Sequence, residues 1–519
     1  MRNATFYQLD GNVTYKADIG STQHVIKSGF EFRSLNLTRH SNGNPWDGSP
    51  FYDVYGSGYG GNLYFDVKAN DPASAAAKAE SEKPYTPTTA AFFIQDQILF
   101  KGLVFTPGLR MDYLNADALY RTSYDAFYPF GSGQGFARVD AKLYLSPRIS
   151  ITYPLTDRQN FQLSYGIYYQ APPWADFYDS FNAFQLRGSQ VLGNPNMEMQ
   201  RTNQYQVAYN HQLTDDLALT VTGYYKDIYN QSGLAYVRVA PTPFFQRVLA
   251  DYGNSRGVEL TFMKRLSDNW QFNLNYTLSS ATGTANASTT AVGLDPFTGE
   301  PAFPVTDFPL DFDQRNRVNG QIGFSWGNDE GPSIAGITFL EYFTINLSGS
   351  WQSGLPYTPV DGRGQAAGQI NSARFPSNWN SELRITRTIP LNEVLGGNSA
   401  IDLTLDVTNL LNFTNAISFY TATGSPDFDG FALNRQQSDF PAVTYYRDAN
   451  PGNKATISAN QYDRVGLRLY QPRVDFNQDG RVTPEETYRG YKEYVDDVVA
   501  RRGNYQFPRT AYFAVAFRF

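Results

Sequence analysis

The chain contains no cysteine and only three histidines in 519 residues. The absence of cysteine excludes disulfide bonds, thiolate metal sites and cysteine nucleophiles. The three histidines are too scattered to suggest a haem or zinc site, and no Ser-His-Asp arrangement is readable. We therefore predict that the protein is not an enzyme.

Long hydrophobic runs and basic clusters are also missing. No stretch of about 18 consecutive apolar residues occurs, and a helix needs roughly that length to cross a bilayer. The net charge is -7 and the pI is about 5.2, and no basic block is present that could neutralise phosphates, which argues against a nucleic-acid partner. The sequence therefore predicts neither a helical membrane protein nor a nucleic-acid-binding protein.

Aromatic residues, by contrast, are abundant and follow a strict period at the end of the chain. The chain is 16% aromatic, with 37 Tyr, 38 Phe and also 43 Gly. Its last residues, TAYFAVAFRF, place Phe513, Val515, Phe517 and Phe519 on one side of a strand. A strand with one face in lipid and the other in a wet lumen needs this period of two. The terminus is therefore typical of the closing strand of an outer-membrane barrel.

The same alternation recurs along the whole chain, most clearly at 161–169 and 270–279. Many of these runs reach roughly 10 to 12 residues, the length that a tilted strand needs to cross a bilayer, whereas the strands of a soluble β-sandwich are usually about 5 to 6 residues long. We therefore predict an all-β fold, a large antiparallel transmembrane β-barrel with about fifteen strands in this chain.

The predicted connections alternate between short and long. Tight turns such as Thr214-Asp215-Asp216 follow the first, third, fifth, seventh and ninth strands, and long links follow the second, fourth, sixth, eighth and tenth. Outer-membrane barrels have short periplasmic turns and long extracellular loops, so the last and longest link, 411–507, should lie outside the cell. The predicted strands are 4–18, 23–37, 88–99, 102–113, 144–154, 159–169, 202–213, 216–228, 255–265, 269–280, 314–327, 341–352, 379–389, 399–410 and 508–519.

The number and direction of the predicted strands suggest that part of the barrel lies outside this chain. A complete single-chain barrel has an even number of strands, and the first strand here would descend, because a tight turn follows it. No secretion signal precedes that strand. We therefore expect residues 1–519 to be the C-terminal part of a larger outer-membrane barrel.

Several short motifs, in their order along the chain, resemble those of TonB-dependent outer-membrane receptors. Residues 193–198 resemble the family's "NP.L.PE" approach to a strand, with Met197 and Met199 as departures. The other matches are a "GvEl" strand at 255–260, a "D.RH" segment at 313–317 with Asn316 in place of His, an "SG.PY" loop at 353–357, a "v.NLfN" segment at 407–412 and the terminal aromatic Phe519. The chain is therefore similar to the C-terminal barrel of this family, of the kind common in Bacteroidetes-like bacteria.

This resemblance implies a mode of action and several partners. Such receptors are usually twenty-two-stranded barrels, plugged by an N-terminal domain that carries the segment contacting TonB. The resemblance implies TonB-dependent active uptake of a scarce or bulky ligand, such as a siderophore, an oligosaccharide or a peptide, across the outer membrane of a Gram-negative cell. About seven strands and the plug would then lie outside this chain, and a surface lipoprotein could accompany the receptor.

Two other classes of protein share the alternating pattern. A passive or adhesive barrel, whose long loops bind a surface partner, would lack the plug and the TonB-contact segment. A secreted all-β carbohydrate-binding protein would be soluble without detergent, and the pattern of lipid-facing aromatic residues argues against that class.

A segment in the last long link fits the EF-hand calcium loop. Residues 475–486, DFNQDGRVTPEE, have oxygen ligands at the required positions, glycine at the sharp turn and glutamate at the last position. We predict that the segment binds a structural Ca²⁺ within a small helical, EF-hand-like insertion at 470–507; a metal-free turn rich in Asp, Asn and Gly is the alternative. The predicted ligands are Asp475, Asn477, Asp479, Arg481 through its carbonyl oxygen, Thr483 and Glu486.

Three weaker patterns have two interpretations each. The GxGxxG at 56–61 has no strand before it and no helix after it, so a loop explains it better than a dinucleotide site. An aromatic run could stack on a ligand or pack on itself; it comprises Trp174, Phe177, Tyr178, Phe181 and Phe184. Inward-facing charges could line a transport path, or keep the lumen wet or contact the plug; they are Glu259, Glu382, Arg384, Asp402 and Asp406.

Overall fold

The computed structural model of the protein consists of two compact units, Met1–Asn316 and Arg317–Phe519. In the part of the chain that it describes, no helix is long and apolar enough to cross a membrane. The described residues are 2–39, 41–42, 53–54, 84–122, 136–178, 191–237, 244–285, 292–294, 301–302, 306–334, 337–361, 366–392, 396–397, 399–427, 435–440, 442–447, 470–499 and 504–519.

Ten long strands form an antiparallel meander in the described part of the first unit. Each strand pairs with the next one along the chain, as consecutive hairpins require. The strands are β1 (Arg2–Ile19), β2 (Thr22–Arg39), β3 (Thr88–Phe100), β4 (Leu103–Asn115), β5 (Lys142–Thr156), β6 (Gln159–Gln170), β7 (Gln200–Gln212), β8 (Leu217–Val237), β9 (Phe244–Ser267) and β10 (Trp270–Gly283).

The short turns of this meander contain residues that tolerate a left-handed backbone. Gly20 and Gly102 have φ angles of 61° and 84°, and the β9–β10 turn has Asp268 at 49° and Asn269 at 68°. Glycine, asparagine and aspartate adopt positive φ at the least cost, and two such residues in succession suit a tight hairpin. The tight turns predicted after the first, third, fifth, seventh and ninth strands are confirmed.

One predicted long link is wrong. The alternation stops at residue 228 and resumes at 255, but β8 continues to Val237 and β9 already begins at Phe244. The register shifts between Ile228 and Gln231, where Asn230 has a φ of 58°. A bulge of this kind interrupts the period of two, so the pattern ends although the hairpin continues.

Five long strands form a second antiparallel meander in the described part of the second unit. Their pairing again follows the order of the chain. Together the two meanders account for the fifteen predicted strands, each within a few residues of its predicted limits apart from the β8–β9 hairpin. The strands are β11 (Asn316–Ser325), β12 (Phe343–Gln352), β13 (Asn378–Pro390), β14 (Ala400–Thr408) and β15 (Thr510–Arg518).

The described links contain short elements. Two are α-helices, α1 (Trp174–Tyr178) and α2 (Pro484–Val499), and one is a 3₁₀ turn, Gln437–Asp439. The short strands are Ser41–Asn42, Asp53–Val54, Leu119–Arg121, Phe136–Arg138, Val191–Leu192, Val292–Leu294, Pro301–Ala302, Phe308–Pro309, Ser333–Ile334, Ile337–Thr338, Pro356–Tyr357, Ala373–Arg374, Tyr445–Tyr446 and Arg481–Val482.

Apolar side chains on the long strands are exposed, whereas the buried core lies among the long links of the first unit. In β1, Tyr7, Leu9 and Val13 are 76%, 62% and 64% exposed, as expected of side chains that meet lipid. The core cluster is at the ends of β2 and β4 and in the links after β4 and β6. It consists of Leu37, Leu114, Ala116, Ala118, Val139, Phe177, Tyr178, Met197 and Met199.

Candidate functional site

The aromatic segment after β6 packs into the core cluster. Phe177 and Tyr178 are completely buried, and the Tyr178 ring stacks on Tyr85 with 4.2 Å between centroids. Burial raises the pKa of Tyr178 well above its usual value. Trp174 packs beside both residues, 5.2 Å from the Phe177 ring. In this structure, Trp174, Phe177 and Tyr178 therefore pack against one another and against the core cluster.

The other two aromatic residues of the predicted ligand-binding set, Phe181 and Phe184, lie outside the described residues. The GxGxxG at 56–61 also lies outside them. A ligand-binding role for the five aromatic residues therefore stays a prediction.

A buried ion pair and two hydrogen bonds hold α1 in place. The Asp176 carboxylate lies 3.1 Å from Arg247 Nε, and the two side chains are 7% and 14% exposed. The backbone N–H of Asn194 donates to the Asp176 carbonyl, and Asn194 Nδ2 donates to the Arg247 carbonyl. Removing one partner of a buried ion pair leaves an uncompensated charge. This network therefore fixes α1 to β9 and to the segment before β7.

The predicted calcium loop is a hydrogen-bonded turn around Asp475, which is 6% exposed. Its carboxylate accepts an O–H bond from Tyr470 at 2.6 Å and N–H bonds from Asp479 and Gly480 at 3.1 and 2.9 Å. These bonds, that of Tyr470 foremost, hold the pKa of Asp475 below its usual value. Gly480 and Gln478 have φ angles of 80° and 59°, so glycine does occupy a sharp, left-handed turn.

Helix α2 begins directly after this loop, at Pro484. The backbone N–H of Glu486 donates to Thr483 Oγ1 at 3.2 Å, and the backbone N–H of Thr483 donates to Glu486 Oε2 at 2.9 Å. This reciprocal pair caps the helix. Among the described residues, no group of three or more His, Cys, Asp or Glu side chains is arranged to hold a metal ion. The oxygen donors have the chemistry that calcium needs, but Glu486 would have to leave the cap to join them.

The predicted calcium loop and α2 pack with an upstream segment to form a small module. We call it the calcium-loop module, after the prediction, and define it as the described residues of 435–447 and 470–499. The strand Tyr445–Tyr446 pairs with Arg481–Val482. The Phe440 ring lies 4.9 Å from that of Tyr491 on α2. Val482 and Val495 are only 3% and 4% exposed, so the module buries apolar side chains on both its short strand and α2.

The polar face of the first unit has a groove around Arg148 on β5. The register places Arg148 opposite Gly108 on β4 and Gly166 on β6, so neither of the two directly opposite positions carries a side chain. Its guanidinium carbon lies 4.3 Å from the centre of the Tyr168 ring. This Arg148 groove has a volume of about 310 Å³ and is bordered also by Phe93, Gln95, Thr106, Arg110, Ser150 and Ser164.

The polar face of the second unit carries four of the five predicted inward charges, and three of them form ion pairs. Arg384 pairs with Asp406 and Arg518 pairs with Asp402, the latter at 2.8 Å. Thr388 Oγ1 also donates to Asp402, at 2.6 Å. The register confirms that Glu382 lies on this face, opposite Thr408, and that Glu259 lies opposite Thr222 on the polar face of the first unit.

Motif residues of the first unit are points of close backbone contact. Asp313 is 1% exposed, accepts the Ala281 backbone N–H at 2.7 Å and lies 3.1 Å from Arg315 Nε. At Gly257, an added Cβ would lie 2.6 Å from the Leu278 carbonyl oxygen. These residues join neighbouring strands and stabilise the wall.

Motif residues of the second unit act in the same way. An added Cβ at Gly354 would lie 1.6 Å from the carbonyl oxygen of Phe375. Asn409 and Asn412, at φ angles of 52° and 54°, turn the chain after β14. The Asn409 amide bonds both backbone groups of Phe413, and Asn412 Oδ1 accepts the Arg509 backbone N–H at 3.0 Å. Asparagine tolerates this conformation and replaces strand hydrogen bonds with its side chain.

These motifs and both meanders agree with the comparison to known families. The family described as "TonB dependent receptor-like, beta-barrel" matches residues 1–410. The chain belongs to this family. No curated protein matches it in sequence.

Several solved transporters and import receptors are similar to this chain in structure. The outer membrane transporter YddB from Escherichia coli has 11% identity and a TM-score of 0.52, over 80% of this chain and 52% of that one. The ferric-catecholate import receptor Fiu from E. coli has 16% identity and a TM-score of 0.46, over 81% and 52%. A variant of the ferric enterobactin receptor PfeA from Pseudomonas aeruginosa has 15% identity and a TM-score of 0.49, over 80% and 49%.

Family membership fixes the fold and the place of this receptor domain in the cell. TonB-dependent receptors are outer-membrane proteins of Gram-negative bacteria, and the similarity to YddB is one of fold. The chain spans about half the length of the solved receptors that it matches. The family match ends at residue 410, so the calcium-loop module lies outside the matched region.

Proposed function

We propose that the chain forms the wall of an outer-membrane receptor for TonB-dependent active uptake of a scarce or bulky ligand, such as a siderophore, an oligosaccharide or a peptide. The family match over residues 1–410 carries this proposal. The network that fixes α1 supports it, because a receptor needs links that keep a constant surface for the ligand. A plug and a TonB-contact segment would come from a part of the receptor outside this chain.

Deletion of the gene and of tonB in the source bacterium tests the proposal. Growth would be measured on ferric siderophores, maltooligosaccharides and peptides as sole sources of iron, carbon and nitrogen. We expect both deletions to abolish growth on the same nutrient, because the receptor and its energy source act in series. Normal growth of the receptor deletion on all three would contradict the proposal for these ligands.

The alternative, a passive or adhesive barrel, predicts a phenotype that does not change when tonB is deleted. A Bacteroidetes-like source and a partnering surface lipoprotein are further parts of the proposal. Co-purification of the receptor from detergent-solubilised outer membranes, followed by mass spectrometry, would identify such a lipoprotein. No catalytic role is proposed.

We also propose that the insertion at 470–507 binds a structural Ca²⁺. The complete match of the ligand spacing supports this, as do the buried Asp475 and the helix that begins at Pro484. Calcium would add a bond between the loop and the start of α2. Its proposed ligands are Asp475, Asn477, Asp479, the carbonyl of Arg481, Thr483 and Glu486.

Calcium titration of the purified receptor tests this second proposal. We expect one site with a Kd of about 10⁻⁴ to 10⁻³ M, as in extracellular calcium modules, and its loss in Asp475→Asn and Glu486→Gln. Asp497→Asn, an exposed acid near the end of α2, is the matched control and should bind as the native receptor does. An unchanged calorimetric signal in the two ligand variants would rule the site out.

A further inference from the structure

We propose that the Arg148 groove binds a carboxylate or phosphate group of the ligand. This proposal rests on the proposed uptake function, since it assigns a chemical class to what the receptor carries. The groove lies on the polar face of β3–β6, and within about 310 Å³ its border includes the guanidinium groups of two arginines and the aliphatic hydroxyls of Thr106, Ser150 and Ser164. That volume is at the lower end of ligand pockets, so it suits one acidic group of a larger molecule.

The two arginines of the groove differ in their partners. Arg110 Nε lies 2.8 Å from Asp112, whose side chain is 11% exposed, so a carboxylate of the wall already balances its charge. Arg148 is exposed and has no ion-pair partner among the described residues. The Arg148 guanidinium carbon lies over the Tyr168 ring, and a cation–π contact does not use the N–H donors of the guanidinium. A planar fork of such donors matches a carboxylate or a phosphate in two parallel hydrogen bonds.

Glycines occupy the positions directly opposite Arg148 on both neighbouring strands. A Cβ at Gly108 would lie 3.3 Å from Gln95 Cβ, and a Cβ at Gly166 would lie 2.9 Å from the Tyr168 ring. Tyr168 therefore folds across Gly166 toward Arg148, which a larger residue at 166 would prevent. The groove thus exists because two glycines flank one arginine, in register.

Hydroxyl groups line the side of the groove nearer to the short turns. Ser150 is paired with Thr106 on one side and with Ser164 on the other. Directly paired residues lie on the same face of the sheet, so three hydroxyls form a row next to Arg148. Each hydroxyl can donate a hydrogen bond to an oxyanion.

The charges along the same cross-strand row are all positive. The row runs from Lys27 on β2 through Gln95, Gly108, Arg148, Gly166 and Gln204 to Lys226 on β8. We call these residues the cation row. Like charges on one face raise the local concentration of anions, so the row favours a negatively charged ligand group at its centre.

Lys226 provides a matched comparison within the cation row. Its Nζ lies 5.5 Å from the centre of the Tyr224 ring, a contact of the same kind as that of Arg148 with Tyr168. Gln204 and Ser255, instead of glycines, lie opposite Lys226. The same charge is therefore present there without the space for a ligand group.

Equilibrium dialysis of the purified receptor in detergent, with radiolabelled benzoate and inorganic phosphate in separate arms, tests the proposal. We expect at least one of these oxyanions to bind, and Arg148→Gln to weaken binding by about tenfold or more, as the loss of a charged hydrogen bond predicts. Arg148→Lys should retain part of the affinity, and Lys226→Gln should bind nearly as the native receptor does. Equal affinities in Arg148→Gln and the native receptor would overturn the proposal, as would equal losses in Arg148→Gln and Lys226→Gln.

A chemical-modification experiment keeps the test independent of whether a variant folds. Phenylglyoxal reacts with accessible guanidinium groups, and peptide mass spectrometry measures the rate at each arginine of the native receptor. We expect the oxyanion that binds to slow the modification of Arg148 severalfold and to leave that of Arg158, on the β5–β6 turn, unchanged. No protection of Arg148 by either oxyanion would refute the groove while leaving TonB-dependent uptake standing. Protection without TonB-dependent growth would support the groove and refute the uptake function.

Discussion

The polar faces of the two units arise from the same alternating pattern but differ in chemistry. In the first unit, Arg148 and Lys226 lie over tyrosine rings, and the residues directly opposite Arg148 are glycines. In the second unit, the charges of Arg384 and Arg518 are balanced by Asp406 and Asp402. A period of two therefore decides which face is polar, whereas the residues opposite each charge decide whether that face can accept a ligand.

The two units also differ in how their links are fixed. In the first unit, the links after β4 and β6 are packed into an apolar cluster in which Phe177 and Tyr178 are fully buried. In the second unit, asparagine side chains hydrogen-bond the backbone, as Asn409 does with Phe413. Stability should therefore depend on apolar contact in the first unit and on close polar contact in the second.

The largest expected effect is in the second unit, for Gly354→Ala. Its Cβ would lie 1.6 Å from the Phe375 carbonyl oxygen, and a backbone atom cannot move aside as a side chain can. We expect a loss of about 3 kcal/mol in the free energy of unfolding, measured by denaturant titration in detergent. Gly349→Ala is the control and should be close to neutral, because its Cβ would lie 3.6 Å from the nearest atom, the Asn380 carbonyl oxygen. Similar losses in both variants would mean that the contact at Gly354 is not decisive.

A smaller loss is expected for Asn415→Ala, which removes a clamp on β13. Asn415 is 4% exposed, bonds both the N–H and the carbonyl of Trp379, and donates to Gln506 at 3.0 Å. Unpaired buried backbone groups cost about 2 kcal/mol in the free energy of unfolding. Asn380→Ala, which removes only an exposed side-chain hydrogen bond to Glu382 from a half-buried residue, should cost much less. An equal cost at both positions would argue against the clamp.

The corresponding change in the first unit, Gly166→Ala, should lower the free energy of unfolding by only about 1 kcal/mol. The added Cβ would lie 2.9 Å from the Tyr168 ring, and this side chain can move. The same substitution should also narrow the Arg148 groove and weaken oxyanion binding in the dialysis experiment. Gly223→Ala has nothing within 4 Å of its Cβ and is the control for both measurements. Full oxyanion affinity in Gly166→Ala would show that the glycine is not needed for the groove.

The smallest effect concerns pH at the short turns of the first unit. Hydrogen bonds from Ser267, Thr214 and Lys264 hold the pKa of Asp216 well below its usual value. A carboxyl with a lowered folded-state pKa stabilises the fold above its unfolded pKa of about 4, and this stabilisation is lost as the pH falls through the folded value. We expect the thermal unfolding midpoint of the native protein to decrease as the pH is lowered below about 4. The decrease should be smaller in Asp216→Asn. An identical pH profile in both proteins would exclude Asp216 as the cause.

The strands could be predicted from the sequence because lipid on one face and water on the other impose a local period. The full length of the β8–β9 hairpin was not predicted, because a bulge at Asn230 breaks that period. The Arg148 groove could not be predicted for another reason: it depends on the alignment of residues from several strands, from Lys27 to Lys226. Glycines at 108 and 166 were visible in the sequence, but their position opposite Arg148 follows only from the register.

The sequence predicted the candidate calcium ligands better than it predicted the surroundings of the aromatic residues. The calcium spacing was readable because all proposed ligands lie within one short segment, and the structure adds the capping of α2 by Thr483 and Glu486. The burial of Phe177 and Tyr178 could not be read from their spacing, since it depends on partners such as Tyr85 and Met197 that are distant in the chain.

The two ends of the last link are held together, so the link can accept an inserted module. Below the link, Ala416 bridges Tyr505, and Asn415 and Asn412 bond residues 506 and 509, so its two ends leave the wall side by side. A segment inserted between them need not span any distance, and the entropic cost of lengthening it grows only slowly with length. Evolution or an engineer could therefore exchange the calcium-loop module for another display domain without rebuilding the strands beneath it.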